Sequence, residues 1–162
     1  KSIGRATVNS SDDAKYRLRI AVGFFDEAER NFNRSEWRAC VDDAQLAVEN
    51  AAKAIISCFH PAARTHEPEK ELQNTLDTHK NLPADVTDAI SAVIVCCQAL
   101  GWNAHVRTDY GDETTRRTPW ELFDEPQAKN ALQHAREAVQ NAEHVVEHFY
   151  PSPPPSPASA SA

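Results

Sequence analysis

The chain has 162 residues, 41% of them hydrophobic, and this length suits one domain with a hydrophobic core. A formal net charge of −7 argues against a surface built to coat nucleic acid, although it leaves room for a local basic patch. We find neither a signal-peptide core nor an apolar run near the roughly 18 residues of a membrane span, so we expect a cytoplasmic protein without membrane contact.

Four cysteines lie inside helical patterns, and none of them belongs to a C-x-x-C pair: Cys40, Cys58, Cys96 and Cys97. Zinc knuckles and redox dithiols present closely spaced thiols from a turn. We therefore predict no metal site and no cofactor, and we interpret the cysteines as small hydrophobic residues in a reducing compartment.

Two long helices are predicted first in the chain, after a flexible N-terminus at residues 1–11. The first runs from about Asp12 to Asn33. The second, from Ser35 to Phe59, has apolar or small residues over more than half its circumference and must be covered on several sides. We therefore place it at the centre of the fold, with Ser35 as its N-cap. The short link between the two helices requires them to run antiparallel.

A third and a fourth helix follow a break at residues 60–68, where two prolines exclude helix continuation. The third is short, from about Glu69 to Thr78. The fourth runs from about Ala84 to Leu100, with Gly101 as its C-terminal glycine cap.

The segment 102–124 has no sustained helical period, so we predict a long loop there. Its aromatic residues are of the kind that hold a loop against a core, and we expect it to be ordered. Asp124 and Gln127 then form a capping box that begins a last helix ending near Phe149. The sequence thus predicts an all-α fold, an antiparallel up-and-down bundle of four to five helices at residues 12–149, followed by a disordered Pro/Ser/Ala tail at residues 150–162.

The last helix carries His144, Glu147 and His148 in the order H-x-x-E-H, which matches an inverted zinc-protease signature. In that chemistry two histidines four residues apart hold zinc, and the glutamate activates a bound water. The intervening valines are predicted to face the core, which leaves both histidines on the polar side near the helix C-terminus. We interpret them as histidines whose positively charged form is stabilised by the negative C-terminal end of the helix.

The segment 102–124 also contains a cluster of residues that suit an anionic ligand: His105, Arg107, Asp109, Tyr110, Arg116 and Arg117. Arginine offers a planar fork for phosphate, tyrosine a stacking face, and histidine a proton near neutral pH. Together they could bind a nucleotide or an RNA backbone. The alternative is that Arg107 and Asp109 tie the loop to the bundle through ion pairs, while Arg116 and Arg117 are solvated.

A polar stripe runs along the central helix, because Gln45, Glu49 and Lys53 recur at intervals of one turn. Polar residues on the most buried helix are unexpected in the core of a monomer. We predict that this face meets a partner or lines a cleft, with Gln45 and Glu49 as ligand-binding residues.

Four stretches in this order resemble the HEPN superfamily of helical domains: residues 44–54, Thr65-His66, residues 107–112, and the start of the last helix at 124–128. The resemblance spans about residues 14–149. It implies an antiparallel helical bundle that dimerises, with a cleft at the dimer interface. The superfamily includes endoribonuclease toxins paired with small nucleotidyltransferase antitoxins, and non-catalytic relatives that bind RNA or nucleotides.

Catalytic HEPN members carry an arginine and a histidine separated by four to six residues, and this pair cleaves RNA without metal. Arg107 matches the arginine, but the positions for the histidine hold Asp112, Glu113 and Thr114. Loss of a general acid or base typically lowers the rate by about 10² to 10⁴-fold. His105 or His66 can substitute only if the fold brings one of them close to Arg107.

The resemblance and the missing histidine support three hypotheses. The leading one is a non-catalytic homodimer that binds RNA, a nucleotide or a partner protein in an interface cleft around Arg107. The second is a metal-independent endoribonuclease of a toxin–antitoxin pair, in which a displaced His105 or His66 assists Arg107 and the partner is a small nucleotidyltransferase. The third is a structural protein-interaction module that binds no nucleotide.

Overall fold

Helices joined by short links make up the chain over residues 10–157, the part that the computed structural model describes, and no strand occurs in that range. The helices are α1 (Ser10–Asn33), α2 (Trp37–Ser57), α3 (Glu69–Thr78), α4 (Ala84–Ala99), α5 (Trp102–Tyr110), α6 (Pro119–Leu122) and α7 (Glu125–Phe149). The long helices α1, α2, α4 and α7 pack side by side as a bundle. The predicted all-α bundle is therefore confirmed.

Helix α2 lies at the centre of the bundle, as the width of its apolar face predicted. It packs against all six other helices of the described chain. From Ala44 to Ser57 every residue except Leu46 is buried. Many of the buried side chains on α1, α2 and α7 are alanines, and because these side chains are small the helices can approach one another closely.

Three predicted helix ends can be compared with the structure. Asp124 caps α7 as predicted, because its side chain accepts a hydrogen bond from the Gln127 N–H at 3.0 Å and the Gln127 side chain accepts one from the Asp124 N–H at 3.1 Å. Ser35 is not the N-cap of α2. Glu36 holds that position, and Ser35 lies in the preceding turn with a φ of 60°. Gly101 is not a left-handed C-terminal cap, since its φ is −88° and it precedes α5 as that helix's N-cap.

The prediction of a long loop at residues 102–124 was wrong, because α5 and α6 occupy much of this segment. An antiparallel bridge between Asp112 and Arg117 closes the turn between the two helices. Gly111 ends α5 with a φ of 75°, and a Cβ at this position would collide with the Arg117 carbonyl oxygen, so the turn requires glycine. The aromatic residues Trp102 and Trp120 do not pin the segment to the core as expected, since both are exposed.

Residues 1–9 and 158–162 lie outside the described residues, so the predicted flexibility of the N-terminus and most distal tail stays a prediction. Ser10 and Ser11, which we assigned to the flexible N-terminus, belong to α1. Residues 150–156 form no helix, although the Ser152 N–H donates a hydrogen bond to the Glu147 side chain at 2.8 Å.

Residues 89–106 contain no Asp, Glu, Lys or Arg, contrary to the expectation that no such run approaches the length of a membrane span. By length and composition alone, the segment Ala84–Tyr110 is apolar enough to cross a membrane. In the structure it is divided at residues 100–101 into α4 and α5, and α4 packs against α2, α3 and α7. A core helix passes the same test of composition, so this segment is weak evidence for a membrane span.

Candidate functional site

Helix α5 carries most of the predicted site residues, and polar contacts to α2 hold it in place. Thr108 is the only buried residue of α5. Its hydroxyl donates a hydrogen bond to Asp42 Oδ1 at 3.2 Å, and its carbonyl oxygen accepts one from Arg38 Nη1 at 2.7 Å. The Arg38 guanidinium also lies over the Trp120 ring, 5.4 Å from its centroid, which connects α6 to the same anchor. These contacts fix how α5 presents its other faces.

Arg107 lies on α5 next to this anchor and lines two adjoining cavities, of about 500 Å³ and about 680 Å³. Its side chain is half-buried. Within the described part of the chain its guanidinium forms no hydrogen bond and no ion pair, although its charge adds to the hydrogen bonds from Thr115 and Thr114 that lower the pKa of Asp112. A guanidinium in this setting has donors available for an anion that enters from solvent.

The first cavity combines the Arg107 cation with several hydrogen-bonding side chains. The first cavity lies between the end of α4, the start of α5 and the start of α7, and Gln98, Asn103 and Asn130 contribute amides to its wall. Glu69 also lines it, and one oxygen of that carboxylate, Oε2, is buried without a hydrogen-bond partner among the described residues. The cavity therefore offers a donor for an anionic group and an acceptor for an amino group.

The two candidate proton donors, His66 and His105, lie next to each other and outside the cavities that Arg107 lines. Their rings stack with centroids 4.9 Å apart, and the Trp102 ring lies 5.3 Å from that of His105. His66 donates a hydrogen bond to Glu49 Oε2 at 3.0 Å. Neither histidine lines the two cavities that contain Arg107. His105 is separated from Arg107 by two positions on one helix, and side chains at that spacing point in different directions.

The polar stripe of α2 forms a buried ion pair instead of facing a partner or an open cleft. Lys53 Nζ lies 2.8 Å from Glu49 Oε1, and Gln45 Nε2 donates to Glu49 Oε2 at 3.2 Å. Gln45, Glu49 and Lys53 expose only 1%, 6% and 8% of their surfaces. Burial opposes ionisation of Glu49, but the hydrogen bonds from Lys53, His66 and Gln45 outweigh it, so the net pKa of Glu49 is lowered. A ligand-binding role for Gln45 and Glu49 stays a prediction, and their burial counts against it.

The other predicted ligand residues lie on the outer side of α5 and on the following turn. Asp109 is exposed, and its carboxylate lies 3.7 Å from His105 Nε2. The predicted alternative, an ion pair that ties this segment to the bundle, is therefore not formed by Asp109. Tyr110 is 71% exposed and lines the second cavity with Arg107. Arg116 and Arg117 are exposed, and the Arg117 guanidinium donates to the Glu121 carbonyl oxygen.

The H-x-x-E-H residues of α7 are exposed near the helix C-terminus, and two of them already have partners. His144 Nε2 lies 2.7 Å from Asp85 Oδ2, and the Glu147 carboxylate accepts hydrogen bonds from Ser152. A hydrogen bond from His144 lowers the pKa of Asp85. Sequence reasoning missed a different group, Cys96, His134 and Glu137, which no single sequence spacing connects.

These features define an all-helical up-and-down bundle with a buried Glu–Lys pair in its central helix and a cavity lined by Arg107. The chain belongs to the HEPN family, because the model of the HEPN domain matches residues 14–148. Its fold is similar to the crystal structure of TT1696 from Thermus thermophilus, with a TM-score of 0.57 and 18% sequence identity over 82% of this chain and 97% of that chain. Among curated proteins no relative matches.

Proposed function

We propose that this HEPN domain is a non-catalytic homodimer that binds a phosphate-bearing ligand, a nucleotide or RNA, through Arg107. The observation that carries the proposal is the half-buried Arg107 guanidinium, which lines two cavities and has no hydrogen bond or ion pair within the described chain. Phosphate oxygens match the planar donors of a guanidinium, and a partly desolvated pair of this kind is stronger than one in open water.

The neighbours of Arg107 support a nucleotide-like ligand over a bare anion. The Glu69 carboxylate lines the same cavity as Arg107 and can turn toward it to accept a hydrogen bond from an exocyclic amino group of a base. Trp102 lines the same cavity and is 48% exposed, so its ring can stack on a base. One ligand that carries a phosphate, an amino group and an aromatic ring would use all three residues.

The non-catalytic part of the proposal rests on where the imidazoles lie. Metal-free cleavage of RNA needs a group that moves a proton beside the arginine. His66 is hydrogen-bonded to Glu49 and stacked on His105, and neither histidine lines the cavities that contain Arg107. These positions disfavour the toxin-type endoribonuclease with a displaced histidine.

The homodimer is supported by large exposed side chains on α4, α5 and α6. Val95, Trp102, Tyr110 and Trp120 expose 56%, 48%, 71% and 73% of their surfaces. Exposed apolar surface often marks a contact with another protein, and residues 95–120 carry four of the five large apolar side chains that the described chain exposes. Light scattering during size-exclusion chromatography should give twice the monomer mass. A Trp120→Ala variant should shift the population toward monomer.

The test of ligand binding uses two fluorescent probes, a labelled adenine nucleotide and a labelled single-stranded RNA, with EDTA-treated protein. Arg107→Ala should weaken binding by about 10 to 100-fold, the equivalent of one hydrogen-bonded charge. Lys80→Ala removes an equally charged, exposed residue outside both cavities and should leave binding unchanged. RNA cleavage that disappears in Arg107→Ala would overturn the non-catalytic proposal. No binding of either probe would favour the structural interaction module.

A further inference from the structure

Three potential metal ligands meet between α4 and α7, and none of them lines the two cavities that contain Arg107. One ligand atom each from Cys96, His134 and Glu137 lies within 4.8 Å of the other two. His134 and Glu137 are three positions apart on α7, so that helix presents both on one face. Cys96 comes from α4, which packs directly on α7. The packing of two long helices therefore brings the three side chains together.

The three residues differ in burial, so the cluster is closed toward the protein interior and open to solvent on its outer side. Cys96 is fully buried, His134 is half-buried and Glu137 is exposed. In a tetrahedral zinc site the ligand atoms lie roughly 3.5 Å apart, so the three side chains need to close by at most about 1.3 Å. Glu137 can make this adjustment by rotating, because its side chain is exposed. A fourth ligand, a water molecule, would then face solvent.

Two further observations distinguish this cluster from a group of polar side chains that happen to lie close together. His134 Nδ1 is buried and has no hydrogen-bond partner among the described residues, which is unusual for a buried polar atom. The Glu137 carboxylate is oriented by Gln133, whose Nε2 donates to Oε1 at 3.2 Å. Gln133 in turn accepts a hydrogen bond from Arg136 at 3.1 Å. Metal-binding carboxylates are commonly oriented by an outer layer of hydrogen bonds of this kind.

We propose that Cys96, His134 and Glu137 bind one Zn²⁺ ion, with water as the fourth ligand. The combination of thiolate, imidazole and carboxylate suits a borderline-soft cation, whereas Mg²⁺ and Ca²⁺ prefer ligand sets made of oxygen alone. The ion joins α4 to α7 and leaves one coordination position open to solvent. This inference is independent of the phosphate-binding function proposed above.

Burial and, to a smaller extent, the charge of Glu137 raise the pKa of the Cys96 thiol to about 11, so the thiol releases a proton when it binds the ion.

The test is a titration of the EDTA-treated, dialysed full chain with Co²⁺, which reports on zinc sites by its colour. We expect one equivalent to bind, with a thiolate-to-cobalt charge-transfer band in the near ultraviolet and the d–d bands of a tetrahedral ion. Zn²⁺ should displace the Co²⁺. Cys96→Ser should abolish the charge-transfer band, and Gln133→Ala should weaken binding by about 10 to 100-fold.

Cys58→Ser is the matched control, because Cys58 lies outside the cluster and its thiol donates only to the Ala54 carbonyl oxygen. This variant should keep the full spectrum. If Cys96→Ser does not fold, as judged by circular dichroism, His134→Gln replaces it and should lose the d–d bands. A wild-type chain without a charge-transfer band would overturn the proposal. So would a band that survives in Cys96→Ser or a folded His134→Gln variant that binds normally.

Discussion

Lys53→Met is the substitution that most directly tests the buried ion pair of α2. Methionine fills a similar volume but has no charge, so Glu49 remains with its hydrogen bonds from Gln45 and His66 and without its cation. Both members of the pair are almost fully buried, and solvent therefore screens their interaction weakly. We expect a large loss of stability at neutral pH.

The size of the loss follows from the contacts. Removing one member of a buried ion pair typically costs about 3 to 5 kcal/mol, because the other charge stays buried without compensation. Domains are commonly stable by about 5 to 15 kcal/mol, so the variant should lose roughly a fifth or more of its stability. For a chain of this length, the melting temperature should fall by about 6 to 20 °C. The double variant Glu49→Gln/Lys53→Met should recover most of this loss, since it leaves no buried charge at these positions.

The assay is urea unfolding followed by circular dichroism at pH 7, analysed as a double-mutant cycle over the two single variants and the double variant. The exposed pair Glu27–Arg30 provides the control, and Arg30→Met should change the midpoint little. A Lys53→Met variant as stable as Arg30→Met would refute the reasoning. Because the net pKa of Glu49 is lowered, its contribution is present above the unfolded value of 4.5 and is lost as the pH falls through the folded value.

Two further substitutions test Asp43 on α2 and Glu113 in the turn after α5. Burial and the charge of Asp42 raise the pKa of Asp43 from 3.8 to about 6, so stability falls as the pH rises above the unfolded value of 3.8, and the loss is complete above about 6. Asp43→Asn should increase stability at pH 7.5 by about 1 to 2 kcal/mol, allowing for solvent screening, and by less at pH 5; an equal gain at both pH values in urea unfolding would contradict this. Glu113 lines the second cavity with Arg107 at a position where catalytic HEPN members have histidine. Glu113→His should therefore introduce RNA cleavage in EDTA where Glu113→Gln does not, and a variant that binds RNA without cleaving it would count against the match of Arg107 to the family arginine.

Apolar periodicity predicted the helices whose stability comes from a broad buried face. α2 was placed at the centre because alanines and β-branched residues cover most of its surface, and it contacts every other helix of the described chain. The predicted bounds of α3 agree with the structure because prolines lie before and after this helix in the sequence. The start of α7 agrees because Asp124 and Gln127 form a capping box, a signal that is local in the sequence.

Periodicity could not predict α5, because this helix buries only Thr108. Its position depends on hydrogen bonds to Arg38 and Asp42, which lie 70 and 66 positions away in the chain. The stripe of Gln45, Glu49 and Lys53 was found, but its internal pairing was not. A Glu and a Lys one turn apart look the same in sequence whether they are exposed or buried, and the covering segment that contains His66 decides between the two.

The net charge of −7 bears on which phosphate ligand suits the Arg107 cavities. A long RNA brings many phosphates, and carboxylates at the cavities, including those of Glu67, Asp112 and Glu113, repel them. At physiological salt, charges act strongly only within about 8 Å, so a small ligand gains the attraction of Arg107 and avoids much of the repulsion. Volumes of about 500 and 680 Å³ also suit a small molecule. Charge and size thus both favour the nucleotide, which should bind at least as tightly as the RNA probe; much tighter binding of RNA would contradict this argument.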